Sequence, residues 1–204
     1  MTSISQSIVE GGLADPVHDA QRVFDGVMRA LSRPGQICPI DTFAKAPQPL
    51  NSTTAALLQT LADADTNIWL DAACNGSDVR GWVSFHTGSP VVEATSEAHF
   101  AIVADPSKVP SLMMFALGTQ EYPDRSTTII VQVPAIGTGS RWRLSGPGIK
   151  DTGMVQVEGM PADFEARWAE NRGFFPRGVD LVLAAPDAVL GLPRTTKLEA
   201  MENA

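Results

Sequence analysis

Near the end of the chain, one short run gathers groups able to grip an anion. Arg194, Thr195 and Thr196 leave an apolar segment together, and Arg177 and Asp180 stand at the start of the apolar segment before it. A guanidinium beside two hydroxyls is a compact set of donors that suits a phosphoryl or carboxylate group. Arg194 could instead close an ion pair with Asp180, which would leave it nothing for a ligand. His86, between Phe85 and Thr87, is the titratable side chain best suited to act as a general base or to donate to a phosphoryl oxygen. It could equally cap a neighbouring carbonyl. His86, Asp180, Arg194, Thr195 and Thr196 therefore form the candidate anion pocket, with no catalytic residue assigned.

Other chemistries find less support. No Gly-x4-Gly-Lys-Ser/Thr loop and no Gly-x-Ser-x-Gly elbow occur. Gly146-Pro147-Gly148 is glycine-rich but lacks the dinucleotide fingerprint, and a tight connection between strands accounts for it. His18, His86, His99, Cys38 and Cys74 lack zinc-ligand spacing. Two cysteines cannot build an ordinary iron–sulfur cluster, so radical chemistry of that kind would need another chain. Lys150, after the glycine loop, could form a Schiff base with pyridoxal phosphate, although a lone loop lysine is usually solvated. Asp63, Asp65 and Asp71 could share a metal, but helix termination explains the first two more simply. On these residues alone the chain reads as a binding or scaffold protein, with no metal and no cofactor expected.

The elements that must position the pocket follow from the apolar pattern. Residues 179–184 and 188–192 are two almost wholly apolar runs around a Pro186-Asp187 turn, as expected of adjacent strands covered on both faces. A first helix opens at Asp15-Pro16, with Val17, Ala20, Phe24, Val27, Met28 and Leu31 as its expected buried stripe, and ends at Pro34-Gly35. A short edge strand over 36–40 and a helix capped by Asn51 or Ser52 follow. Then come a strand over 66–70, a short helix from Ser77 and a strand over 98–104. The pattern further predicts a helix from Asp105-Pro106 to Ala116 and a strand over 126–133. That strand is expected to turn at Gly137-Thr138-Gly139 into a hairpin partner over 140–144. A strand over 152–157 and a helix from Pro161 to Gly173 complete the set. Helices alternate with strands early and hairpins dominate late, which predicts one α/β domain over 15–196 with a mixed sheet between two helical layers. Residues 1–14 read as a loose leader without secretory features, and 197–204 as a frayed polar tail.

A formal charge of −8 with a sequence pI near 4.8 disfavours nucleic acid or anionic membrane as the main partner. No apolar run approaches a membrane span. The two unrelated cysteines fit free thiols in a reducing cytoplasm.

An ordered set of short motifs adds a resemblance. It comprises Asp19-Ala20-Gln21 with Phe24, Pro34-Gly35, Leu61 to Thr66, Trp69-Leu70 and Phe85-His86-Thr87-Gly88 with Pro90. After these come Gly118-Thr119, Glu121-Tyr122-Pro123, Ser126-Thr127 and Leu144 to Ile149. The set closes on Phe175-Pro176, Gly178, Asp180 and Pro193-Arg194-Thr195-Thr196. Over residues 15–196 the chain resembles the H subunit of the bacterial carbon–phosphorus lyase machinery. The resemblance implies a three-layer αβα sandwich similar to the pyridoxal-phosphate-dependent transferases, without the cofactor or its lysine. It also implies a cytoplasmic protein that dimerises alone and joins the G, I and J subunits in a core complex. With the G, I and L subunits, that family supports transfer of a phosphonate onto the ribose C1 of ATP, displacing adenine. The J subunit later cleaves the product with its own iron–sulfur cluster. The I subunit is the expected seat of the transfer, and the H subunit is accessory. One position departs from the pattern: Asp25 follows Phe24 where an arginine is expected, so any anion grip there would have moved to Arg22 or Arg29.

Overall fold

A computed structural model describes residues 6–41 and 44–201. Its frame is a seven-stranded sheet, assembled from β1 (Cys38–Pro39), β2 (Ile68–Leu70), β3 (Val91–Val92), β4 (Phe100–Val103), β5 (Thr128–Gln132), β8 (Asp180–Ala185) and β9 (Ala188–Leu192). The strand order is β1-β9-β8-β5-β4-β2-β3, parallel from β8 through to β3, with β9 antiparallel to both its neighbours. The expected mixed sheet is present, and the two apolar runs are its neighbours β8 and β9.

Period-two alternation divides the core. Ile102, Ile130, Val182, Ala184 and Val189 face α2 (Pro16–Ser32), α3 (Ser52–Leu61) and α4 (Ser77–Thr87). Ala101, Val103, Ile129, Val131, Leu181, Leu183, Leu190 and Leu192 face the other way. That second layer differs from the expected helical one. Among the described residues it contains one α-helix, α5 (Phe164–Gly173), and a three-stranded antiparallel sheet of β10 (Lys197–Ala200), β6 (Ile136–Ser145) and β7 (Gly153–Val157). Trp142, Leu144, Val157, Phe164 and Trp168 fill the gap to the main sheet.

Several expectations need correction. The stretch 105–116 forms two 3-10 turns, Pro106–Lys108 and Leu112–Met114, because Pro110 lacks an N–H and its ring would clash inside a longer helix. Gly137-Thr138-Gly139 does not close a hairpin with β5. It lies within β6, where the register against β7 shifts between Ile136 and Ser140, so two positive-φ glycines make a bulge. Residues from Lys197 form β10 against β6, with Leu198 buried, so the tail is not frayed as far as Ala200. The leader is held down over its described part: α1 (Gln6–Val9) lies against α4, Trp82 Nε1 donates to the Glu10 carbonyl at 3.2 Å, and Lys45 N donates to the Gly11 carbonyl at 3.0 Å. Residues 1–5 and 202–204 of the expected leader and tail lie outside the described residues.

Asp15 caps α2 through His18 N as expected, but the buried face is Asp19, Val23, Gly26, Val27 and Ala30. Val17, Phe24 and Met28 are 74%, 50% and 49% exposed, so the larger apolar residues point away from the sheet. Close approach decides the rotation. A Cβ on Gly191 of β9 would stand 2.5 Å from the Ala30 carbonyl oxygen, a spacing that only small residues on both sides permit. Among the described residues no helix is long and apolar enough to cross a membrane.

Candidate functional site

The antiparallel β8–β9 pair brings the chain leaving β9 back over the start of β8, and this sets Arg194 beside Asp180. Arg194 N and Nε donate to Asp180 Oδ1 at 2.7 and 3.1 Å, and Nη2 donates to Oδ2 at 2.5 Å. Nη2 also donates to Ser126 Oγ at 2.6 Å, and Nη1 donates to the Pro123 and Pro176 carbonyls at 2.8 and 3.4 Å. The two side chains are only 12% and 24% exposed. The guanidinium thus fastens three segments of its own chain, and the ion-pair alternative describes it.

Thr195 and Thr196 part company. Thr195 is partly exposed, whereas Thr196 is buried, and its Oγ1 has no hydrogen-bond partner among the described residues. The Thr196 carbonyl accepts from Trp168 Nε1 at 2.8 Å, which ties α5 to this corner. His86 lies elsewhere, in the last turn of α4. Its ring centroid is 4.6 Å from that of Trp82 and 5.1 Å from that of Phe85, close to the leader. Burial pushes the His86 imidazole below its ordinary range, opposed by the carbonyls of Ile8 and Glu10. Asp180, Arg194 and Thr195 share one open depression of about 440 Å³ with Pro123, Asp124, Phe175, Pro176 and Pro193, and His86 does not line it.

A second depression of about 270 Å³ adjoins the first, lined by Pro147, Arg172, Phe175, Arg194 and Thr195. Sequence reasoning missed Arg172 and Phe175 as surface features here. An arginine in the last turn of a helix and a Phe-Phe pair carry no chemical signature until the fold places them. Arg172 Nε is buried with no hydrogen-bond partner among the described residues. The loop after α5 is positioned by Asn171, whose amide donates to the Val179 carbonyl and accepts from Val179 N, both at 2.9 Å. Phe174 and Phe175 are left 37% and 64% exposed.

The crevice at the carboxyl ends of parallel strands, where strand order reverses, is the usual ligand position in open α/β sheets. Here that point lies between β2 and β4, and Asp71 occupies it. Its Oδ1 accepts from Ala73 N and Cys74 N at 3.1 and 3.0 Å, and its Oδ2 from Ala104 N and Asp105 N at 2.9 and 3.2 Å. Four backbone amides therefore hold the carboxylate as a staple across the crevice. Asp63 is a separate helix-end staple, accepting from Thr66 Oγ1 and Asp65 N at 2.7 and 3.0 Å. The hydrogen bond from Thr66 holds its carboxyl below the usual range. No group of three or more His, Cys, Asp or Glu that could hold a metal occurs among the described residues. Burial pushes the Cys74 thiol well up, and Lys150 is exposed in the bend between β6 and β7. Asp25 pairs with Arg29 at 2.8 Å on the exposed side of α2, while Arg22 pairs with Asp19.

With this geometry in hand, comparison with known proteins is specific. The family model described as bacterial phosphonate metabolism protein (PhnH) matches residues 11–199. Alpha-D-ribose 1-methylphosphonate 5-triphosphate synthase subunit PhnH of Rhizobium meliloti (strain 1021) is 48% identical over 199 residues, covering 98% of this chain and 99% of that one. A putative C-P lyase subunit protein, HtxG of Stutzerimonas stutzeri, is 31% identical over 180 residues, covering 87% of this chain and 85% of that one. A match that runs from the packed leader to β10, through every strand of both sheets, places the chain in the PhnH family of bacterial phosphonate metabolism proteins.

Proposed function

We propose that this chain is an accessory subunit of the carbon–phosphorus lyase core complex. It supports the transfer of an alkylphosphonate to the ribose C1 of ATP in the breakdown of organic phosphonates. The observation that carries the reading is the end-to-end 48% identity to a chain named as a subunit of ribose 1-methylphosphonate 5-triphosphate synthase. The locked Arg194 supports it further, since the strongest cation of the candidate pocket is already engaged by Asp180, Ser126 and two carbonyls. In this reading the protein works in the cytoplasm beside the G, I and J subunits. Its α/β frame descends from a scaffold of the pyridoxal-phosphate transferase type without the cofactor. In isolation it pairs with a second copy, and the exposed stripe of Val17, Phe24 and Met28 on α2 is an apolar face suited to that contact.

Co-expression with and without the neighbouring subunits, followed by native mass measurement, tests this. A stoichiometric complex is expected, together with no turnover of alkylphosphonate by the isolated chain. Sustained turnover by the isolated chain would overturn the reading. A second reading, a phosphonate- or nucleotide-binding enzyme acting through its own anion pocket, draws on the depression where Thr195 meets Arg172. Full activity of an assembled complex carrying Arg194→Ala would remove Arg194 from any such role.

A further inference from the structure

Resting on the subunit reading, we propose that the corner around Phe175 and Arg172 is the face on which a partner subunit docks. The segment it receives presents a carboxylate between apolar side chains. Three observations lead there.

Phe175 is 64% exposed and lines both depressions, so one exposed ring borders two adjoining dents. Exposed aromatic rings flanked by pockets are the usual anchors of protein contacts, where their burial displaces the most water.

The surface is also pre-formed. Prolines 123, 147, 176 and 193 line the two dents, and Arg194 fastens the Pro123 and Pro176 carbonyls to Asp180. A rigid surface loses little conformational entropy on binding.

The third observation is charge. Arg172 is partly exposed where it lines the second dent, and its guanidinium makes no hydrogen bond or ion pair among the described residues, so its charge there is met by no acceptor. Two more guanidiniums lie on adjoining aromatic rings: Arg125 is 4.2 Å from the Tyr122 centroid and Arg177 is 5.5 Å from the Phe174 centroid. Asp124 lines the first dent as well, but the second dent has no carboxylate among its lining residues. A carboxylate seated on Arg172 with apolar neighbours astride Phe175 satisfies both features. A second copy has another face in this reading, the exposed apolar stripe of Val17, Phe24 and Met28 on α2.

The test uses the full chain co-expressed with the other subunits of the phosphonate complex, with affinity measured on the purified components. Phe175→Ala and Arg172→Glu should each weaken binding at least about tenfold, and Arg172→Lys should weaken it less. Phe85→Ala, at an exposed aromatic on α4, should bind as wild type. Phe175 is too exposed for its truncation to unfold the chain, and matched melting curves would establish that for the others. Wild-type affinity in both Phe175→Ala and Arg172→Glu would overturn the docking face while leaving the subunit reading standing. Failure of the wild-type chain to bind any subunit would refute the subunit reading itself. Saturable binding of inorganic phosphate that Arg172→Glu abolishes, with subunit binding unchanged, would assign this guanidinium to a small anion and overturn the proposal.

Discussion

Arg194 offers the sharpest test of how this corner works, because its two roles predict opposite behaviour of the free protein. As an internal clamp it holds Asp180, Ser126 and the carbonyls of Pro123 and Pro176 with a side chain only 12% exposed. Arg194→Ala leaves the backbone N–H on Asp180 but strands a carboxylate that is only 24% exposed and frees the other three acceptors. Removing one partner of a buried pair costs about 3–5 kcal/mol, and the residual exposure of both groups places this site at the lower end. At about 2–4 °C per kcal/mol for a chain of this size, the melting midpoint should fall by roughly 6–12 °C if the loss is about 3 kcal/mol. Arg194→Lys keeps the charge but cannot reach both Asp180 oxygens and two carbonyls at once, so it should lose about half as much. Adding Asp180→Asn to Arg194→Ala removes the stranded charge and should restore about 1–2 kcal/mol relative to Arg194→Ala, a coupling that independent sites would not show. Thermal and urea unfolding followed by circular dichroism read all three. A midpoint shift below about 2 °C in Arg194→Ala would refute the clamp. It would mean that the guanidinium is not integral to the fold and stands free for a ligand.

Three further outcomes follow from the same geometry. Burial lowers the His86 pKa, so the unfolded chain takes up that proton first as pH falls through about 6.5. Stability present above that pH should decline below it, and His86→Gln should flatten the decline; superimposable pH–stability curves would refute this. Asp71→Asn places one acceptor and one amino group where four backbone amides now meet two carboxylate oxygens. The urea midpoint should report a loss of about 1–3 kcal/mol, and a change below about 0.5 kcal/mol would deny Asp71 its stapling role. Gly191→Ala drives a methyl to 2.5 Å from the Ala30 carbonyl oxygen and should cost about 1–3 kcal/mol, while an unchanged urea midpoint would show that α2 and β9 can part freely.

Local chemistry made much of the frame legible. The apolar runs that became β8 and β9, the Pro186-Asp187 turn and the Asp15-Pro16 start of α2 carry their signals within a few residues, and each stands where it was expected. The motif order was equally legible, because family membership is written in the sequence from end to end. Rotations and cross-chain meetings were not. The outward face of α2 was settled by how closely Ala30 and Gly191 let two backbones approach, not by which side chains are largest. A glycine pair read as a turn became a bulge because β6 found its partners in β7 and β10. At the candidate site, composition supplied the cation but not its partners: Arg194 is used up by segments from 123, 126, 176 and 180, and His86 sits at a different place on the surface. Residues far apart in sequence compete for the same donors only once the chain has folded. Sequence alone therefore marked α2 to α5, most strands of both sheets and the family, whereas β10 and the engagement of Arg194 emerged only from the tertiary structure, because both depend on contacts between residues distant in sequence.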